Sequence, residues 1–144
     1  MAYPVQTARR YVALIVMVLW LASLALPAAT FTNSAYGYCP GFLVAMVGLV
    51  FGWIILQLGA FANVILLVLC GVLAFGRRVW IIPALIAEML ALWSFTWSEF
   101  PSDADTNPIA HFASGFYVWQ LAILLLTIYA LAEKRLIARG QLTA

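Results

Sequence analysis

The sequence predicts an all-α membrane protein with four transmembrane helices plus an outer-side re-entrant or interfacial helix. Three observations predict it. First, 67% of the 144 residues are hydrophobic and only 8% charged, with mean hydropathy +1.07, where soluble domains carry roughly 25% charged residues. Seven basic and five acidic side chains cannot cover that much apolar surface, so lipid is the expected solvent. Second, the apolar runs are continuous and dominated by Leu, Ala, Ile and Val. Barrel strands alternate apolar and polar residues in segments of about 10, so helices are expected to span the bilayer. Third, the basic residues fall in three clusters, Arg9/Arg10, Arg77/Arg78 and Lys134/Arg135/Arg139. Basic clusters flanking spans stay cytoplasmic, so an even number of crossings must separate each cluster from the next.

The first span is expected at about residues 11–29. A basic pair followed by an apolar stretch resembles a secretory signal. However, the stretch is about 19 residues long, beyond the usual 7–15 of a signal core, and is read as a retained helix. Residues 40–76, "PGFLVAMVGLVFGWIILQLGAFANVILLVLCGVLAFG", then run for 37 residues without a charge. One crossing takes about 20 residues, so the run is long for one span and short for two plus a turn. Keeping Arg77 and Arg78 on the side of Arg9 allows one crossing here, placed at about 60–76. The preceding half, about 41–58, must then enter and leave on the outer side. Two full crossings, with the Gly-Arg-Arg sequence outside, is the competing reading. Further spans are expected at about 79–97 and 112–132. The segment between them, "SEFPSDADTNPIAH", holds Glu99, Asp103 and Asp105 and no Lys or Arg. It is expected to face outward, with "DTNP" turning the chain into the last helix and Pro108 near its first turn. The whole chain, residues 1–144, reads as one integral membrane domain with both termini cytoplasmic.

Four glycines, Gly41, Gly48, Gly52 and Gly59, would fall within about 40° of one another on a continuous helix. Such a stripe lets another helix approach closely, either within the bundle or from a partner. Glu88 stands midway along the third span, where a carboxylate costs about 3 kcal/mol on insertion scales and marks a functional-site hypothesis. It reads as a proton-binding site, a polar anchor for a partner, or a carboxyl hydrogen-bonded to Asn63, Gln120 or Ser94. Pro83, five residues earlier, is expected to kink that span. Gln120 and Thr127 lie seven apart in the fourth span, on one face. Glu88, Asn63 and Gln120 together form the expected intramembrane polar site.

No catalytic residue, cofactor or metal is expected. His111 is the only histidine, and its loop matches no metal-ligand spacing, even with Asp103 and Asp105 nearby. Cys39 and Cys70 form no C-x-x-C motif. Trp80 and Trp97 bracket the third span as interfacial aromatics do. The net charge of +2 is used for topology and points to no nucleic-acid partner.

The segments "LALPA", "GFLVAMVG", "FAN", "GRR" and "SGFYVWQLAILLL", in that order, resemble a group of uncharacterised small bacterial inner-membrane proteins with four spans. In those, a glycine-led segment precedes a Trp-x-Ala-Asn-Pro-like turn. Phe61-Ala62-Asn63-Val64 stands in that place here, without the Trp and the Pro. The resemblance implies topology only, and no activity; the location expected is the bacterial inner membrane. The function expected is helix-mediated association, as a non-enzymatic accessory subunit or assembly factor of a membrane complex. The partners are the lipid bilayer and a membrane protein or further copies of the chain. A special case is an immunity protein that binds a pore-forming toxin. The alternative is a small oligomeric transporter or channel using Glu88. An intramembrane enzyme would need a second titratable group at that depth and ranks last.

Overall fold

A computed structural model of the chain describes residues 3–32, 37–54, 56–101 and 106–140. The first apolar segment forms α1 (Tyr3–Ala25). It begins well before residue 11 and stops before residue 29. Pro27 disfavours helical geometry in Leu26, and the chain turns into strand β1 (Pro27–Phe31). After β2 (Tyr38–Pro40) come α2 (Gly41–Phe51), a 3₁₀ turn (Leu58–Phe61) and α3 (Ala62–Ala74). Next are α4 (Ile81–Trp93), a second 3₁₀ turn (Ser94–Thr96), β3 (Glu99–Pro101), β4 (Thr106–Phe112) and α5 (Ser114–Ala138). The described residues are mostly helical. Among the described residues, two helices, α1 and α5, are long and apolar enough to cross a membrane. At 1.5 Å per residue their 23 and 25 residues reach about 35 and 38 Å, against a hydrocarbon core of about 30 Å.

The architecture is not purely helical. A four-stranded antiparallel sheet in the order β2-β1-β4-β3 closes one end of the bundle. Ala29 pairs with both Cys39 and Phe112. The strands are three to seven residues long, too short to show a period against their turn-forming neighbours. Pro108 lies in β4, opposite Glu99, not in the first turn of α5. It sits beside the bulge where the β1 register slips between Thr30 and Phe31, a place where a residue without an N–H is tolerated. Asp103 and Asp105 lie outside the described residues.

At the opposite end, Arg9 joins three elements. Its Nη2 pairs with Glu133 Oε1 at 2.6 Å, and its Nη1 donates to Gly76 O at 2.7 Å. These contacts bring the start of α1, the end of α3 and the end of α5 together, so the three basic clusters gather at one end. Gly76, with φ +70°, closes α3. Its N–H donates to Leu73 O and that of Arg77 to Val72 O, a C-terminal cap that needs a left-handed residue.

The 37-residue uncharged run breaks after Phe51, and both ends of α2 lie at the sheet end. Gly41 N–H donates to Leu26 O at 2.9 Å, just past α1. Beyond α2 the chain turns through Leu56, whose φ is +57°. The Leu56 carbonyl accepts from Trp93 Nε1 at 3.2 Å, at the end of α4 nearest β3. The 11 residues of α2 span only about 16 Å. From there α3 descends towards Arg9.

The core joins α1, α3, α4 and α5 around Val16, Leu66, Leu73, Ile123 and Leu126, each 0% exposed. In α4 the packed face is made of Ala84, Ala87 and Ala91, all fully buried, which lets its neighbours approach closely. Pro83 is the third residue of α4, where its missing N–H would be unsatisfied in any case. The expected mid-span kink therefore has no cause.

Candidate functional site

The glycines are consumed inside the chain. Because α2 ends at Phe51, the four do not form one helical stripe. A Cβ on Gly41 would run into the Ser23 carbonyl of α1, and one on Gly48 would come within 2.6 Å of Ala60 Cβ and 3.1 Å of the Trp97 ring. Gly52 lies in the turn against the Gly48 and Gln57 carbonyls, and Gly59 lies on Ser94 and Leu90. Gly115 performs the same service for α5, with the carbonyls of Leu26 and Pro27 at 2.7 and 2.8 Å from its Cβ position. These close approaches seat α2 and the 3₁₀ turn on the bundle.

Beneath α2 lies a cavity of about 40 Å³ lined by Ser23, Gly41, Ala60, Asn63, Ser94 and Trp97, among others. That size suits water rather than an organic ligand. Asn63 is buried in its wall and fully engaged. Its Oδ1 accepts from Trp20 Nε1 at 2.8 Å and from Trp119 Nε1 at 2.9 Å, while its Nδ2 donates to Ala60 O at 3.0 Å. The node thus ties α1, α3 and α5 together. Trp97 is 8% exposed, its ring packed inside the protein, and its Nε1 has no partner among the described residues. Trp80, 75% exposed at the start of α4, does have the exposure of an interfacial aromatic.

The other polar residues at mid-bundle lie on the α4–α5 seam. Gln120 Nε2 donates to Ala91 O at 2.6 Å, and Thr127 Oγ1 to Ala84 O at 3.2 Å. Two side chains seven apart on α5 thereby meet two carbonyls seven apart on antiparallel α4. Thr127 Oγ1 also lies 3.4 Å from Glu88 Oε2. Glu88, Asn63 and Gln120 are therefore at separate places and do not bond one another. The mate of Glu88 is Thr127, not Asn63, Gln120 or Ser94. Asn63 is held by tryptophans, and the Ser94 hydroxyl is turned back to Leu90 O.

Glu88 is half-buried, on the rim between the alanine face of α4 and the exposed Leu85 and Leu92 (42% and 53%). Its Oε1 has no hydrogen bond among the described residues and is not among the buried unpaired atoms. A carboxyl with one oxygen bound and one accessible can accept a donor from outside the chain, or carry a proton.

Sequence reasoning did not single out the Arg9–Glu133 pair. Its side chains are 11% and 1% exposed. Glu133 Oε1 also accepts from Arg9 Nε at 2.8 Å, while Oε2 is buried without a partner among the described residues. An acid directly before Lys134 and Arg135, one residue beyond the expected end of the fourth span, was the available signal. His111 is exposed on β4, and no three His, Cys, Asp or Glu side chains come together among the described residues. Cys39 and Cys70 are buried and free. Burial pushes the Cys39 thiol above its ordinary range, which leaves less reactive thiolate near neutral pH. Comparison with protein-family models, with curated proteins and with solved structures returns no match.

Proposed function

We propose that the chain is a non-enzymatic, four-span inner-membrane protein that works by binding another membrane protein through the flank of α4 carrying Glu88. The observation that carries this reading is the uncommitted Oε1 of a half-buried carboxyl midway along an apolar helix. Left to lipid, such a group costs about 3 kcal/mol. A partner helix that donates to it removes that cost and adds about 1 kcal/mol of interhelical hydrogen bonding. Among the described residues, the four glycines and the other mid-bundle polar groups are satisfied internally, so Glu88 is the mid-bundle polar group left to present.

In this reading α3 and α4, lengthened by their 3₁₀ turns, cross beside α1 and α5. The three basic clusters gathered around Arg9 face the cytoplasm, and the sheet and α2 face outward. An accessory subunit, an assembly factor and an immunity-type binder of a pore-forming toxin all use such a face. The same oxygen favours one second reading, an oligomer in which Glu88 lines a central conduction path.

The test is affinity purification of the tagged protein from its native membrane in mild detergent, read by mass spectrometry alongside native mass. A stoichiometric partner that is lost from Glu88→Leu, with the variant still folded, is the expected result. A homo-oligomer alone, with flux abolished in Glu88→Gln, would replace association with transport.

A further inference from the structure

On the flank of α4 opposite Glu88, a groove of about 530 Å³ runs between α3 and α4. Its wall is apolar along Val64, Val68 and Val72, which succeed one another at one-turn spacing, and it ends at Arg77, Arg78 and Trp80. Both arginines are exposed. Neither makes a side-chain hydrogen bond or ion pair among the described residues, in contrast to Arg9, which Glu133 neutralises. An apolar channel with two free guanidinium groups at one mouth has the polarity of an amphiphile with an anionic head.

We infer that this groove is a binding site for an anionic phospholipid, with one acyl chain along α3 and the phosphate held by Arg77 and Arg78. Guanidinium groups match phosphate oxygens in bidentate geometry, and basic pockets between helices on the cytoplasmic side select anionic headgroups. Trp80, 75% exposed beside the arginines, sits where an indole favours the headgroup boundary. The site rests on the membrane-spanning reading above, but not on the Glu88 partner face, since the two lie on opposite flanks of α4.

The test uses the purified chain in nanodiscs of phosphatidylcholine, with and without phosphatidylglycerol as a minor component, followed by native mass spectrometry of retained lipid. Phosphatidylglycerol should remain bound in preference to phosphatidylcholine. Arg77→Gln with Arg78→Gln should lower that retention roughly thirtyfold, as two interfacial charges imply. Arg135→Gln with Arg139→Gln should leave it unchanged. Because the first pair also orients the chain, Val68→Trp provides a second arm, filling the groove while keeping both charges, and it should lose the lipid as well. Equal retention of both lipids, or wild-type retention in Val68→Trp, would overturn the site while leaving the membrane reading intact. Displacement of the lipid by inorganic phosphate would reduce it to a headgroup contact and overturn the groove. Failure to enter neutral nanodiscs would overturn the membrane reading and the site together.

Discussion

Glu133 is 2% exposed and shares one oxygen with the Nε and Nη2 of Arg9. Removing one partner of a buried pair costs about 3–5 kcal/mol, because the other charge is left unmatched. Arg9 is slightly exposed and also holds Gly76 O, so the lower figure applies. Glu133→Ala is expected to lose about 3 kcal/mol in an SDS-titration unfolding experiment. The double variant Arg9→Met, Glu133→Leu should recover most of that loss, since an apolar replacement of both partners is often neutral. A single variant as stable as the wild type would show that the pair orients the chain without holding it. The position was readable only in part. An acid beside two bases suggests a solvated helix end, and its partner lies 124 residues away. Glu88 stood out because it is isolated in an apolar run, whereas its mate Thr127 depends on how α4 and α5 are aligned.

Among the elements, α2 depends most on close approach. Its packed face contains Gly41 and Gly48, and the opposite face exposes Phe42, Met46 and Val50 (49%, 59% and 53%). Gly48→Ala places a methyl 2.6 Å from Ala60 Cβ and should destabilise by about 1–3 kcal/mol through overpacking. Gly71 in α3 is the matched control, because a Cβ there meets nothing within 4 Å. Gly71→Ala should be neutral or stabilise by up to about 1 kcal/mol from helix propensity. Equal effects in the two variants, measured by thermal unfolding in one detergent, would refute the seating of α2 on the 3₁₀ turn. The helices were legible because their apolar runs are long, and a break in the 37-residue run was expected because charge placement favoured one crossing over the competing two. Within the break the chain passes through a left-handed Leu56 whose carbonyl accepts from Trp93, and no residue type announces that. The sheet was illegible for a related reason. Its strands pair through residues as far apart as Ala29 and Phe112, a join that only the packed ends of α1 and α5 create.

Across the whole molecule, the sheet end and the Arg9 end should face opposite sides of the membrane. In a Cys39→Ser, Cys70→Ala background, single cysteines replacing Tyr38 and Leu56 (57% and 71% exposed) should label with an impermeant thiol reagent in intact cells. One replacing Phe75, 82% exposed near Arg9, should label only after permeabilisation. Labelling of positions 38 and 56 from opposite sides would make α2 a crossing and overturn the arrangement.

A helix whose two ends lie at one end of the bundle changes no parity. Because α2 begins beside Leu26 and leads to a turn beside Trp93, it adds nothing to the tally that decides on which side each later segment emerges. On the four-span reading proposed above, losing α3 would invert everything after it and set Arg77 and Arg78 against the charge rule. Losing or enlarging α2 would invert nothing. On that reading the segment is orientationally silent: outside the glycine face that seats it, α2 can change without the rest of the chain having to relearn its direction.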